Sequence, residues 1–484
     1  MQEIKKKLYF GFTYLILTRA LTYLFSSIKF LILARYIEPY HFGIIGSVFL
    51  FFSIADIVIS PSLNIYLVQR KESNIDDYLD TVFWVGVVRN VLLFSIIRFF
   101  STYISSFFND KNIFYAINMV SFIFLINLFS NPRAVYMIKS FEFNKKFYAS
   151  FILSILDFIF SISLLNVIKD YRLFIYSSLF SGIINNIIWY YYYPYLPKVR
   201  FSFSKFKEMI SFSKWINLSN ILGYLLQNFD DWMVAKFLGQ SKLAIYQLGY
   251  RISNQPVNNL VSTINEIMFP FYSKIKDNKK EVYNIYLRNI TLFGAICFFW
   301  VLILFSYSDF FIDLLLNENW RNVSFVIKLL SIYVLFKIYC WFNGIVFISL
   351  SKPVINTTFM FIEASLMVPL VIYLTQKFDI FGTCLGVTIP SIIVSIMVYF
   401  KIKKFLEISE NIIFWRISFL ILLNLIFYIL NMFILKIFVW YFSFFIIVSG
   451  YFLVLYFIDK KINVGIFYNL KEFLYLIRGR YEKI

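Results

Sequence analysis

The sequence predicts an all-α, polytopic membrane protein, on three observations. Hydrophobic residues fill 60% of the 484 positions and charged residues only 15%, whereas soluble globular chains carry about 25% charged residues. Phe alone occurs 62 times, more apolar surface than a soluble core can hide. Apolar stretches of about 20 residues, the length that crosses the hydrocarbon of a bilayer, follow one another nearly end to end. The usual relation of length to soluble domains therefore does not apply.

Fourteen stretches meet the length and apolarity of a membrane span. They are 10–34, 43–67, 82–104, 113–136, 148–168, 173–194, 210–235, 244–271, 287–307, 323–349, 354–375, 380–400, 412–434 and 437–458. Twelve is the rival count, because the last two stretches sit close together. Lys5, Lys6 and Lys7 precede the first stretch as in a signal peptide. That stretch is too long for one, and no small-residue cleavage site follows, so a retained first span is expected.

Orientation follows from Lys and Arg in the connecting segments. With the N-terminus inside, inner segments carry 27 basic residues and outer loops 9. Both ends are thus expected on the cytoplasmic side of the cell (inner) membrane. The net charge of +19 is explained by this asymmetry and by attraction to anionic lipid, not by nucleic acid. The three cysteines lie inside apolar stretches and predict no disulfide framework. His41, the one histidine, leaves little for a metal site or for imidazole acid–base chemistry.

An internal repeat organises the spans. Ala34-Arg35-Tyr36-Ile37, followed by Gly43-Ile44-Ile45, matches Ala235-Lys236-Phe237-Leu238, followed by Ala244-Ile245-Tyr246. The offset is 201 residues, or six spans. Repeats of the same orientation are related by an axis along the membrane normal. Polar residues support the match. Span 1 carries Arg19, Thr22, Ser26 and Lys29, and span 2 carries Ser53, Asp56, Ser60 and Asn64. Span 7 carries Ser213, Asn217, Asn220, Tyr224, Gln227 and Asp231; span 8 carries Gln247, Arg251, Asn254, Asn258, Ser262 and Asn265. Spacings of three and four place each set on one helix face. Such stripes avoid lipid. A hydrated central cavity lined by spans 1, 2, 7 and 8 is expected, with interhelical hydrogen bonding as the alternative.

The predicted organisation is a six-helix lobe over 1–208, a second over 209–404, a two-helix hairpin over 405–458 and a cytoplasmic tail over 459–484. In the tail, Phe467, Leu470, Leu474 and Ile477 recur at helical spacing among Lys471, Arg478 and Arg480, as in an interfacial amphipathic helix.

Three segments carry a family resemblance: ILARYIEPYHFGIIG…LVQRKE over 32–72, NPRAVYMIKSFEFNKKF over 131–147, and QNFDDWMVAKFLGQSKLAIYQLGYRISNQP…MFPFYSK over 227–274. Together they resemble the Wzx-type oligosaccharide flippases, in the lipopolysaccharide and teichuronic-acid exporter branch. That family belongs to the multidrug/oligosaccharidyl-lipid/polysaccharide exporter superfamily. The resemblance spans about the first 400 residues. Ser60-Pro61 stands where the family has a glycine, and Ala244-Ile245-Tyr246 where it has a Gly-Tyr pair. The resemblance implies two lobes across a cavity, a polyprenyl-pyrophosphate-linked oligosaccharide as substrate, alternating access, and ion coupling.

The residue chemistry fits that expectation. Sugar hydroxyls cost kcal/mol amounts each when moved unpaired into hydrocarbon, so a hydrogen-bonding path is needed. Pyrophosphate calls for cations, guanidinium above all. Arg19 and Arg251 are the first candidates, then Lys29, Arg89 and Arg98; an ion pair or snorkelling explains Lys29 and Arg98 equally well. Asn217, Asn220, Gln227, Gln247, Asn254 and Asn258 supply amides for sugar. Asp56, Asp230, Asp231, Glu266 and Glu363 are candidates for coupling to protons or Na⁺. Other than such an ion, no cofactor or metal is expected, and no catalytic group is recognised. The partners expected are the lipid-linked oligosaccharide, membrane lipid and a glycan polymerase. Trp189 and Tyr190–Tyr193 read as an interfacial belt. Pro256, Pro270, Pro369 and Pro390 read as helix bends. A multidrug exporter and a membrane glycan polymerase or ligase are the competing readings. The first would need fewer intramembrane cations, and the second a large external loop; the longest outer segment is about 308–322.

Overall fold

The computed structural model describes residues 2–59, 66–67, 75–407, 412–437 and 440–462. Ser60, Asn64, the tail from 463 onward, and the side chains of Ser213, Asn217 and Glu266 lie outside the described residues. Among the described residues there is no strand, and the chain is helical almost throughout. It is a multi-pass membrane protein: nine described helices are long and apolar enough to cross a bilayer, or ten if one bent pair counts as a span.

Where described, the predicted stretches fall on helices, and 113–136 runs over three of them. In chain order these are α1 (Gln2–Tyr36), α2 (Pro39–Ile59), α3 (Asp76–Phe107), α4 (Lys111–Val120), α5 (Phe122–Asn127), α6 (Val135–Lys139), α7 (Phe143–Leu165) and α8 (Tyr171–Tyr192). Then follow α9 (Phe203–Leu238), α10 (Gln240–Lys274), α11 (Lys279–Leu315), α12 (Asn322–Ser349), α13 (Pro353–Phe405), α14 (Ile412–Ile437) and α15 (Trp440–Ile462). The long α9 and α10 are the two helices with the longest polar stripes.

Span 4 departs from the expected continuous helix. It bends by 74° between Lys111–Asn127 and Pro132–Lys139. Pro132 lacks the N–H that a helix would use, and its ring disfavours a helical Asn131. Neighbouring helices cover the carbonyls at the break: Asn186 Nδ2 donates to Ile126 O at 2.8 Å and Asn90 Nδ2 to Asn127 O at 3.1 Å. Asn131 Oδ1 then caps the restart by accepting from Arg133 N at 2.9 Å.

Spans 11 and 12 form one element, α13, broken at Phe378–Asp379. Asp379 has φ +61° and ψ −146°, a backbone state that side chains other than glycine's rarely adopt. The two arms then pack closely. A Cβ on Gly382 would lie 1.8 Å from Leu374 O, and the Thr375 and Thr383 hydroxyls are 2.9 Å apart. Pro369 and Pro390 lie inside the arms.

The chain divides into two compact units, 1–244 with 315–319 and 245–314 with 320–484. In the first, α1 packs on α7, α7 on α8, α3 on α4 and α5, and α9 on α2. The segment joining α8 to α9 is fastened to the same unit. Arg133 donates to Pro194 O at 2.9 Å, Trp84 Nε1 to Lys198 O at 2.9 Å, and Tyr195 to Asp80 at 2.6 Å. Burial, reinforced by that carboxylate, pushes the Tyr195 hydroxyl well above its ordinary pKa. Lys205 Nζ donates to Asp77 O and Tyr78 to Glu208, fixing the start of α9 on α3.

In the second unit α12 packs on α13 and α14 on α15. The α14–α15 hairpin is joined to α11 by buried polar contacts. Tyr307 donates to Asn431 at 2.7 Å and meets Ser443 at 3.2 Å, while Arg416 donates to Thr291 at 2.9 Å. Inside a bilayer, where apolar surface gives no preference for protein over lipid, such contacts hold helices together.

Candidate functional site

Several intramembrane charges form pairs. In the first unit Lys29 of α1 forms an ion pair with Asp157 of α7, and Asp157 also accepts from Ser181 of α8 at 2.9 Å. The pair borders a cavity of about 330 Å³, lined also by Thr22, Ser26, Ser154, Ser177 and Ser178. That volume equals about ten waters of bulk liquid. Three of its serines donate to backbone carbonyls. Ser154 donates to Ser150 O at 2.7 Å, Ser177 to Leu173 O at 2.9 Å and Ser178 to Phe174 O at 2.8 Å, each one turn back on its own helix. Three of the four members of the span 1 stripe, Thr22, Ser26 and Lys29, thus turn toward partners within their own unit.

The second unit holds a similar arrangement. Lys337 of α12 pairs with Glu363 of the first arm of α13 at 2.6 Å, and Ser391 of the second arm donates to Glu363 at 3.0 Å. The Glu363 side chain is 12% exposed, against 22% for Asp157. Charges this deep persist when partnered, since leaving one uncompensated is costly.

The remaining sequence candidates are placed as follows. Arg89 of α3 pairs with Asp56 of α2. The Arg98 guanidinium lies 5.2 Å from the Phe94 ring and 5.6 Å from that of Phe122, a cation–π seat on an exposed face. Arg19 is exposed on α1, and Arg251 is half-buried on α10. Asn220 and Gln227 are exposed on α9, Gln247 is half-buried, and Asn258 is exposed on α10. Asn254 is 2% exposed, and neither amide atom has a hydrogen-bond partner. Asp230 is buried and Asp231 half-buried. The side chains of Asn217 and Glu266 are outside the described residues.

Sequence reasoning missed Asp157 and Lys337. The signal for Asp157 was present: Ser150, Ser154, Asp157 and Ser161 repeat at spacings of four, three and four. Lys337 stands alone in an apolar helix and has no such pattern.

With the geometry in hand, similarity to known proteins can be stated. The WzxC lipopolysaccharide biosynthesis protein of Escherichia coli K12 is 23% identical over 389 residues, covering 78% of this chain and 77% of its own. The TuaB teichuronic acid biosynthesis protein of Bacillus subtilis 168 is 22% identical over 297 residues, covering 61% of each chain. Among solved structures, the lipid II flippase MurJ in an inward closed conformation superposes with a TM-score of 0.73, covering 93% of this chain and 99% of its own at 13% identity. The two chains share a fold. Residues 32–325 match the model of one protein family, and on that match this chain belongs to the polysaccharide biosynthesis protein family.

Proposed function

We propose that this protein is a flippase of lipid-linked oligosaccharide. It passes a polyprenyl-pyrophosphate-linked sugar headgroup from the cytoplasmic to the outer leaflet of the cell membrane by alternating access, with both termini cytoplasmic. One observation carries the reading: a fold shared over nearly the whole chain with a lipid II flippase, in a chain whose relatives are named for lipopolysaccharide and teichuronic acid biosynthesis. The polar stripes of α9 and α10 support it, since a headgroup needs hydrogen-bonding partners throughout its passage. The protein's work is transport, without a chemical step of its own, upstream of a glycan polymerase.

Arg19 and Arg251 are assigned to the pyrophosphate. Asp56, Asp230, Asp231, Glu266 and Glu363 are the ion-coupling candidates; Asp56 pairs with Arg89 and Glu363 with Lys337. The test is deletion in the native host, followed by measurement of lipid-linked oligosaccharide and surface glycan. Complete repeat units should accumulate on the inner leaflet, protected from external glycosidase, while surface glycan disappears. Complementation with Arg19→Ala or Arg251→Ala should lower transport at least about tenfold, the equivalent of one charged hydrogen bond, with normal membrane insertion. Repeat units that still reach the outer face unpolymerised would reject the flippase reading in favour of a polymerase or ligase.

A further inference from the structure

The first unit carries a groove of about 800 Å³ between the start of α3 and the segment joining α8 to α9, the size of a small-molecule pocket. Four cations line it, Arg133, Lys198, Arg200 and Lys205, together with three acids, Asp76, Asp77 and Asp80. Among the described residues none of the seven forms an ion pair. Two of the cations are held by neutral carbonyls instead. Arg133 donates to Pro194 O at 2.9 Å, and Lys205 to the Asp77 backbone oxygen at 2.7 Å. A carbonyl fixes the position of a cation without cancelling its charge. Lys198 and Arg200 are exposed. Among the acids, Asp80 Oδ1 accepts from Tyr195 and from Lys198 N, Asp76 accepts from Tyr136, and the Asp77 side chain is exposed.

The same segment presents apolar groups that no span accounts for. Leu196 is 88% exposed and Val199 90%, and Phe201 and Phe203 are exposed beside them. Its backbone, by contrast, is pinned to α3. Lys198 O accepts from Trp84 Nε1 at 2.9 Å, and Ser202 N donates to Thr81 Oγ1 at 3.3 Å. The side chains are thus carried outward on a fixed strap. Apolar groups interleaved with Lys and Arg at a membrane surface enter the boundary between headgroups and acyl chains. The strap therefore sets the mouth of the groove at the level of the lipid headgroups.

We propose that this groove binds the headgroup of a zwitterionic inner-leaflet phospholipid that carries a primary ammonium. Lys198, Arg200 and Arg133 take the phosphate, Asp76 and Asp77 take the ammonium, and Leu196, Val199, Phe201 and Phe203 meet the acyl chains. The balance of charge decides the class of lipid. A purely anionic headgroup would meet three carboxylates, and a purely cationic one four basic groups; like charges brought together select against both. A zwitterion answers both sets at once. A primary ammonium also has three N–H donors for the carboxylates, whereas a quaternary one has none. The assignment rests on the cytoplasmic placement of this segment in the reading above and on no property of the cargo.

The test is a lipid titration of the purified full-length chain in detergent. Val199→Cys carries an environment-sensitive fluorophore at the mouth of the groove, with the parent chain, treated alike, as blank. The probes are dioctanoyl phosphatidylethanolamine, its choline and glycerol counterparts, and free phosphoethanolamine. The ethanolamine lipid should bind about tenfold more tightly than either other lipid, the equivalent of one charged hydrogen bond. Asp76→Asn with Asp77→Asn should abolish its advantage over the choline lipid. Lys198→Gln with Arg200→Gln should weaken all three lipids about tenfold, through the phosphate. Equal affinity for the three lipids overturns the proposal, as does an advantage that survives loss of both carboxylates. Tightest binding of the glycerol lipid would make the groove an anionic-lipid site, and free phosphoethanolamine binding as well as the lipid would make it a site for a soluble ligand; either result also overturns it. The titration reads headgroup chemistry alone, so its failure leaves the flippase reading standing, and a flippase reading rejected by the deletion test leaves the lipid site standing.

Discussion

The two units solve one electrostatic problem with different parts. In both, an acid on the fifth span of a repeat accepts from a serine on the sixth: Asp157 from Ser181 in the first unit, and Glu363 from Ser391 in the second. The lysines do not correspond. Lys29 comes from span 1 and Lys337 from span 10, which answers to span 4 of the first repeat. The acid–hydroxyl pair recurs in both units, whereas its counter-charge comes from helices at different places in the two. The surroundings differ as well. Asp157 borders a chamber lined with hydroxyl oxygens, and Glu363 lies deeper.

That contrast can be broken by substitution. Lys337→Met should have the largest effect, because it strands Glu363 as a buried anion. A loss of about 3–5 kcal/mol is expected for breaking such a pair, read as a fall in the unfolding midpoint of purified protein in detergent. Lys29→Met should cost visibly less, since the chamber can hydrate Asp157; equal losses would refute the distinction. Adding Glu363→Leu to Lys337→Met should recover most of the loss, as apolar replacement of a whole buried pair is often neutral or stabilising. The smallest change is expected for the serines. Ser391→Ala should cost about 1 kcal/mol and Ser181→Ala less, because the chamber can replace the lost donor.

Much of the architecture was legible because span length and apolarity are local properties. Each of the fourteen stretches needed only a window of about 20 residues. The break in span 4 was legible in principle through Asn131-Pro132, yet the apolar run through Phe129 outweighed it. What closes the break, Asn90 and Asn186, comes from distant helices and no window contains it. The charged candidates divide similarly. The sequence shows that Lys29, Asp56, Arg89 and Glu363 lie in spans, but their partners are settled by packing. The stripe rule found the polar face of span 1 and not what that face meets, which is Asp157, 128 residues away.

The closed hairpin of α13 carries a consequence for biogenesis. Helices enter the membrane in the order of their synthesis. Lys337 precedes Glu363 by only 26 residues, and the two arms of the hairpin, joined at Asp379, bring Ser391 to Glu363 as they are made. The acid of the second unit can therefore enter hydrocarbon as one step of three consecutive segments, already partnered, and avoid the insertion cost of about 2.5–3.5 kcal/mol for a lone charge at mid-helix. Lys29 has no such arrangement. Its ammonium must wait while three further spans are threaded, until α7 delivers Asp157, whereas Lys337 waits only for the helix that follows it.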